Sequence, residues 1–108
     1  MNRIDAAFRR LRVQKKKAFI AYITAGDGGL ALTKELVLAL ERSGVDIVEL
    51  GVPFSDPVAD GPTIQAASQR SLARGTTVRK IFAMVRTLRA RTKVPIVFMT
   101  YYNPVLRY

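Results

Sequence analysis

The stretch VDIVELGVPFSDPVADGP, residues 45–62, begins as a β-strand and ends as a loop rich in proline and glycine. Val45, Ile47, Val48 and Leu50 form a short apolar run with one carboxylate, Glu49, near its end. Past Gly51 come two more acids, Asp56 and Asp60, among turn-forming residues. Side chains alternate across a strand. If Ile47 and Glu49 share one face, Val48 and Leu50 share the other. One face is then wholly apolar and the other carries an acid at the strand's C-terminal end.

The flanks set this strand in an alternating pattern. Ile4, Ala7, Phe8 and Leu11 recur at helical spacing, which predicts a short amphipathic helix. AFIAYIT (residues 18–24) reads as a strand running into a glycine loop. LALTKELVLALERSG (residues 30–44) reads as a helix. Leu32, Leu36, Ala39 and Leu40 share its apolar face, and Gly44 stands at its C-terminal stop. Beyond the loop, Pro62 suits a first helical turn, and that helix stops at Gly75. Thr76 or Thr77 can cap another, striped by Val78, Ile81, Phe82, Val85 and Leu88. PIVFMTYY (residues 95–102) is a third strand-like run, with no helix expected after it.

Strands alternating with helices imply βαβ units and a parallel sheet. Three parallel strands leave two open edges, and a closed barrel of this type takes about 250 residues. The expected fold class is therefore α/β: a partial TIM (β/α)8 barrel, its first three parallel strands with their helices plus an N-terminal helix. Residues 1–108 are expected to be the amino-terminal portion of one barrel domain.

Composition narrows the chemistry. The chain has no cysteine and no histidine, which excludes disulfides, thiolate metal sites and a cysteine nucleophile. Proton transfer falls to Asp, Glu, Lys or Tyr. The formal net charge is +10, and every acid lies at or before Asp60. Such a surface attracts phosphates, nucleic acids or acidic partners, although basic helix faces are ordinarily just solvated. The aromatics sit in apolar runs instead of alternating with Arg and Lys, and no nucleic-acid motif is present. The first residues, MNRIDAAFRRLRVQKKK, lack the apolar core of a secretory signal. Their many arginines give slight support to organelle import. No run reaches the ~20 apolar residues of a membrane span. A soluble cytoplasmic protein is expected, with neither nucleic acid nor membrane as partner.

In parallel α/β folds the strand C-termini and following loops form the binding face. Glu49 is at such an end, and burial there favours its neutral form, which suits a group that gives and takes a proton. Asp60, on a loop, is better hydrated, so the two carboxyl groups can divide acid and base roles. A plainer reading fits the same residues. Glu49 can reach solvent at the strand end, and Asp before Pro or Gly is an ordinary turn signal. Tyr22, Met99 and Tyr101, near the other strand ends, can line a pocket for a flat ligand or serve as core.

VELGVPFSDPVADGPTIQ (residues 48–65), flanked by AFIAYITAGD (18–27) and VPIVFMTYYNPV (94–105), resembles the signature of the tryptophan synthase alpha chain family. The likeness spans nearly the whole chain in order. It implies an eight-stranded βα barrel that cleaves indole-3-glycerol phosphate to indole and glyceraldehyde 3-phosphate. No cofactor of its own is implied. The implied partner is a beta chain that uses pyridoxal phosphate to join indole to serine, in an alpha2-beta2 tetramer. By the same resemblance Glu49 is the acid/base that protonates the indole ring carbon, and Asp60 the carboxylate that engages the indole N–H. Tyr22, Met99 and Tyr101 border the indole pocket, while Pro53, Asp56 and Asn103 face the beta chain. The sequence departs from the family in having Gly28 where proline is usual after TAGD. The family's phosphate-binding residues and closing loop belong to later strands. The 108 residues alone are thus expected to be inactive. The alternative expectation is a non-catalytic module that binds the beta chain or the rest of the barrel.

Overall fold

A computed structural model describes residues 2–56 and 58–106, with the backbone only at Asn103. The elements follow in the order α1 (Arg3–Val13), β1 (Ile20–Thr24), α2 (Leu30–Arg42), β2 (Ile47–Gly51), α3 (Pro62–Ala73), α4 (Val78–Leu88), β3 (Ile96–Met99) and α5 (Tyr102–Leu106). The three strands form one parallel sheet in the order β1-β2-β3. The register aligns Tyr22 with Glu49 and Glu49 with Val97.

Local chemistry sets the helix ends. Asn2 and Asp5 close a reciprocal capping box at the start of α1. Pro62 occupies the first turn of α3, and the Thr77 Oγ1 accepts the Lys80 N–H at 3.2 Å at the start of α4. The left-handed Gly44 ends the turn after α2.

The core lies between one face of the sheet and two helices. Val48 and Leu50 are fully buried at its centre. Val37 and Leu38 from α2 and Ile81, Met84 and Leu88 from α4 pack in the same cluster. Phe82 meets Phe98 edge-on, with ring centroids 5.1 Å apart. Below the sheet, α1 is tied down by Arg10, which reaches Asp46 at 3.4 Å, while Asp46 also accepts the Phe19 N–H at 2.8 Å. Partial burial lowers the Arg89 guanidinium from its usual value, and the nearby Arg3 of α1 adds repulsion.

Three expectations need correction. The apolar face of α2 is not the predicted one: Leu32 and Leu36 remain 46% and 39% exposed, while Thr33, Val37 and Leu38 are buried. This helix is apolar on nearly all sides, so two stripes compete, and Thr33 wins burial because its hydroxyl is used. It accepts the Gly26 N–H at 2.9 Å and donates to the Gly29 carbonyl at 3.2 Å. The third strand is four residues long, shorter than predicted. A short helix, α5, does follow it, with Pro104 tolerated in its first turn.

Candidate functional site

The acid, Glu49, lies on the opposite face of the sheet. Val48 and Leu50 belong to the helix-side core, so Ile47, Glu49 and Gly51 point the other way by strand alternation. Tyr22 confirms the facing. A Cβ built on Gly51 would run into the Tyr22 phenol ring and hydroxyl. Tyr22 therefore leans up its face across Gly51, where only a glycine leaves room. Thr24 Oγ1 donates to the Tyr22 hydroxyl at 3.4 Å and braces it.

Above this row, at the strand C-termini, a cavity of about 140 Å³ is lined by Tyr22, Val52, Ala59, Asp60, Met99, Thr100 and Tyr101. Four of the expected site residues, Tyr22, Asp60, Met99 and Tyr101, thus share one wall. Glu49 does not line it. It is half-buried, in register with Tyr22 one row down on the same face. Typical ligand pockets run to roughly 300–1,000 Å³, so this cavity of about 140 Å³ is smaller than a whole ligand pocket. On the open side, Met99 is 53% exposed and Ile20 47%. No side-chain hydrogen bond or ion pair among the described residues engages the Glu49 or Asp60 carboxylate.

The loop bearing Asp60 is fastened on two sides. Ala59 N–H donates to the Tyr101 hydroxyl at 2.9 Å. Gln65 Nε2 donates to the Asp60 carbonyl at 2.8 Å from α3. Phe54, earlier in the loop, lies against the Tyr101 ring at 5.2 Å between centroids. Of the residues expected to face a partner, Asp56 is exposed and Pro53 is buried. Pro53 lines a hollow of about 320 Å³ with Phe54, Ser55, Leu72, Thr77, Val78 and Pro104. The Asn103 side chain lies outside the described residues.

Two features escaped the sequence reading. Asp27 takes a two-pronged hydrogen bond from Arg70, at 2.8 and 2.9 Å, joining the loop after β1 to α3. Those hydrogen bonds hold the Asp27 carboxyl below the ordinary carboxylate range. Beside it, Ser71 Oγ donates to the Ala25 carbonyl at 2.6 Å. Gly26, with φ +86°, leaves no room for a side chain against Ser71 and Thr76. Among the described residues no group of three or more acids, histidines or cysteines could hold a metal ion. Among the described residues no helix is long and apolar enough to cross a membrane.

Comparison with known proteins matches residues 8–108 to the family model described as "Tryptophan synthase alpha chain". A tryptophan synthase alpha chain from Geobacter sulfurreducens is 58% identical over 106 residues, which is 98% of this chain and 40% of that one. The crystal structure of tryptophan synthase subunit alpha from Legionella pneumophila superposes with a TM-score of 0.97 at 44% identity, covering 100% of this chain and 42% of that one. A chain from the tryptophan synthase a2b2 complex of Pyrococcus furiosus gives a TM-score of 0.79 at 46% identity, covering 83% of this chain and 36% of its own. The chain thus spans about 40% of the length of the curated relatives it matches.

Proposed function

Because this chain belongs to the tryptophan synthase alpha chain family, we propose that it supplies the acid-bearing part of a carbon–carbon lyase site. The completed site cleaves indole-3-glycerol phosphate to indole and glyceraldehyde 3-phosphate in tryptophan biosynthesis. One observation carries the reading: Asp60 lines a cavity at the strand ends, and Glu49 stands on the same sheet face in register with the cavity-lining Tyr22.

In this mechanism Glu49 gives its proton to the indole ring carbon that bears the glycerol chain. The ring becomes iminium-like, and Asp60 stabilises the positive charge through the indole N–H. The Glu49 carboxylate, having given up its proton, takes the proton of the adjacent glycerol hydroxyl, the carbon–carbon bond breaks, and its electron pair returns to the ring. Aldehyde and indole are the products, so atoms and charge balance. Glu49 is held on a strand and Asp60 on a loop, both half-buried. Tyr22, Met99 and Tyr101 offer ring and thioether surface beside an indole. The expected partner is a beta chain, met through the loop that carries Asp56, as suits a family represented in an a2b2 complex.

The test completes the barrel. Residues 1–108 are continued with the remainder of the Geobacter sulfurreducens alpha chain, and indole release from indole-3-glycerol phosphate is followed. The completed barrel is expected to release indole. Glu49→Gln is expected to lower turnover by about 10²–10⁴-fold with the melting temperature unchanged. Full turnover by the Gln variant would sink the role given to Glu49.

A second reading, a non-catalytic module that binds the rest of a barrel or a beta chain, is favoured by the exposed apolar residues Ile20, Val97 and Met99 on the edge strands and Phe19 just before β1. Capture of a purified beta chain by the 108 residues, without indole release, is its signature.

A further inference from the structure

Tyr101 stands in the cavity wall, yet its polar atom is committed elsewhere. Its hydroxyl accepts the Ala59 N–H at 2.9 Å, linking two loops 42 residues apart. Its ring is held against Phe54, 5.2 Å between centroids and tilted by 31°. The residue after Ala59 is Asp60, whose carbonyl takes the Gln65 amide at 2.8 Å. The Asp60 backbone is therefore bracketed, by Tyr101 just before it and by Gln65 just after.

Ala59 is exposed. Losing its protein partner would not strand a buried donor, because water replaces the hydroxyl at little cost in stability. What would be lost is the fixed direction of the neighbouring carboxylate.

We propose that Tyr101 is a positioning residue, whose hydroxyl fixes the Asp60 loop through Ala59 and so aims the Asp60 carboxylate into the cavity. The catalytic consequence rests on the lyase reading above; the structural link does not. Misplacing a reacting group by about 1 Å can cost 10²-fold in rate, so a loop freed at Ala59 should lower turnover far more than stability.

The experiment compares Tyr101→Phe, which keeps the ring and removes the hydroxyl, with Tyr102→Phe at a neighbouring 74%-exposed tyrosine. Amide hydrogen exchange is read residue by residue in the 108-residue chain. Tyr101→Phe is expected to speed Ala59 exchange about tenfold and leave the amides of β2 and α4 unchanged. Tyr102→Phe is expected to alter neither. In the completed barrel Tyr101→Phe is expected to lower kcat by about 10–100-fold with KM changed less than threefold.

An Ala59 amide that exchanges equally fast in both variants overturns the proposal. So does a kcat that stays at the unsubstituted level, or a loss confined to KM, which would make Tyr101 a binding wall only. If the unsubstituted barrel releases no indole, the lyase reading fails, and Ala59 exchange still decides the link by itself. Should Tyr101→Phe not fold, Ala59 in the unsubstituted chain is the measure. Protection of at least tenfold over an unstructured amide supports the link, and its absence refutes it.

Discussion

Gly51→Ala tests the arrangement that orients the inner face of the sheet. Gly51 sits within β2 at ordinary strand angles, since its φ is outside the left-handed region. The backbone alone should therefore welcome alanine, by roughly 0.5–1 kcal/mol relative to glycine. The space forbids it, because the new methyl group would overlap the Tyr22 ring and hydroxyl. Overpacking of this kind costs about 1–3 kcal/mol, so the net effect is a destabilisation of up to about 2.5 kcal/mol. The decisive assay is a double-mutant cycle with Tyr22→Ala, read by urea unfolding of the completed barrel. Without the phenol, Gly51→Ala should become neutral or stabilising by up to about 1 kcal/mol. The coupling between the two positions is then about 1–3 kcal/mol, within the range for residues in direct contact. A cost for Gly51→Ala that is equal with and without Tyr22 would refute the placement of the phenol over Gly51. With it would go the assignment of Tyr22, Gly51 and Glu49 to one face.

Other outcomes follow from single contacts. Asp27 has its carboxyl held below the ordinary range, chiefly by hydrogen bonds from Arg70. The unfolded chain therefore takes up the proton first, so the contribution is complete above about pH 4 and fades as pH falls through the lower native value. Melting temperatures of the parent and Asp27→Asn should converge below about pH 4, and a constant gap from pH 7 to 3 would contradict this. Leu50→Ala, at a fully buried position, should cost about 2–5 kcal/mol in urea unfolding. Thr77→Ala removes the hydroxyl that accepts the Lys80 N–H and should cost about 0.5–2 kcal/mol, with Thr77→Asn largely restoring it.

The sheet was legible where apolar and polar positions alternate or crowd in a short run. β2 announces itself because Val48 and Leu50 are apolar on one parity and Glu49 breaks the other. The burial of α2 was not legible, since Leu30, Leu32, Leu36, Val37, Leu38 and Leu40 wrap the helix and periodicity offers two faces. The sheet chose the one containing Thr33, whose hydroxyl meets the Gly26 N–H and the Gly29 carbonyl. Hydropathy cannot anticipate a polar residue buried for its hydrogen bonds. At Tyr102 the β-propensity of tyrosine misled, because the chain turns into α5 there.

The same division runs through the site. That Glu49 and Asp60 stand near strand ends follows from local pattern, because a strand's parity and a loop's composition are written in consecutive residues. Gly51 gave a usable signal too, since glycine inside a strand often marks a close approach. What holds the acids in relation to each other is not local. Ala59 meets Tyr101 across 42 residues, and Arg70 meets Asp27 across 43. Each contact depends on the parallel register that stacks one loop beside the next, and that register depends on the core formed by Val48 and Leu50 with α2 and α4. The order of dependence is therefore fixed: core packing sets the register, the register sets which loops touch, and the touching loops aim the carboxylate. A substitution in the core should move Ala59 and Asp60 only together with the whole sheet, whereas one at Tyr101 should move them alone.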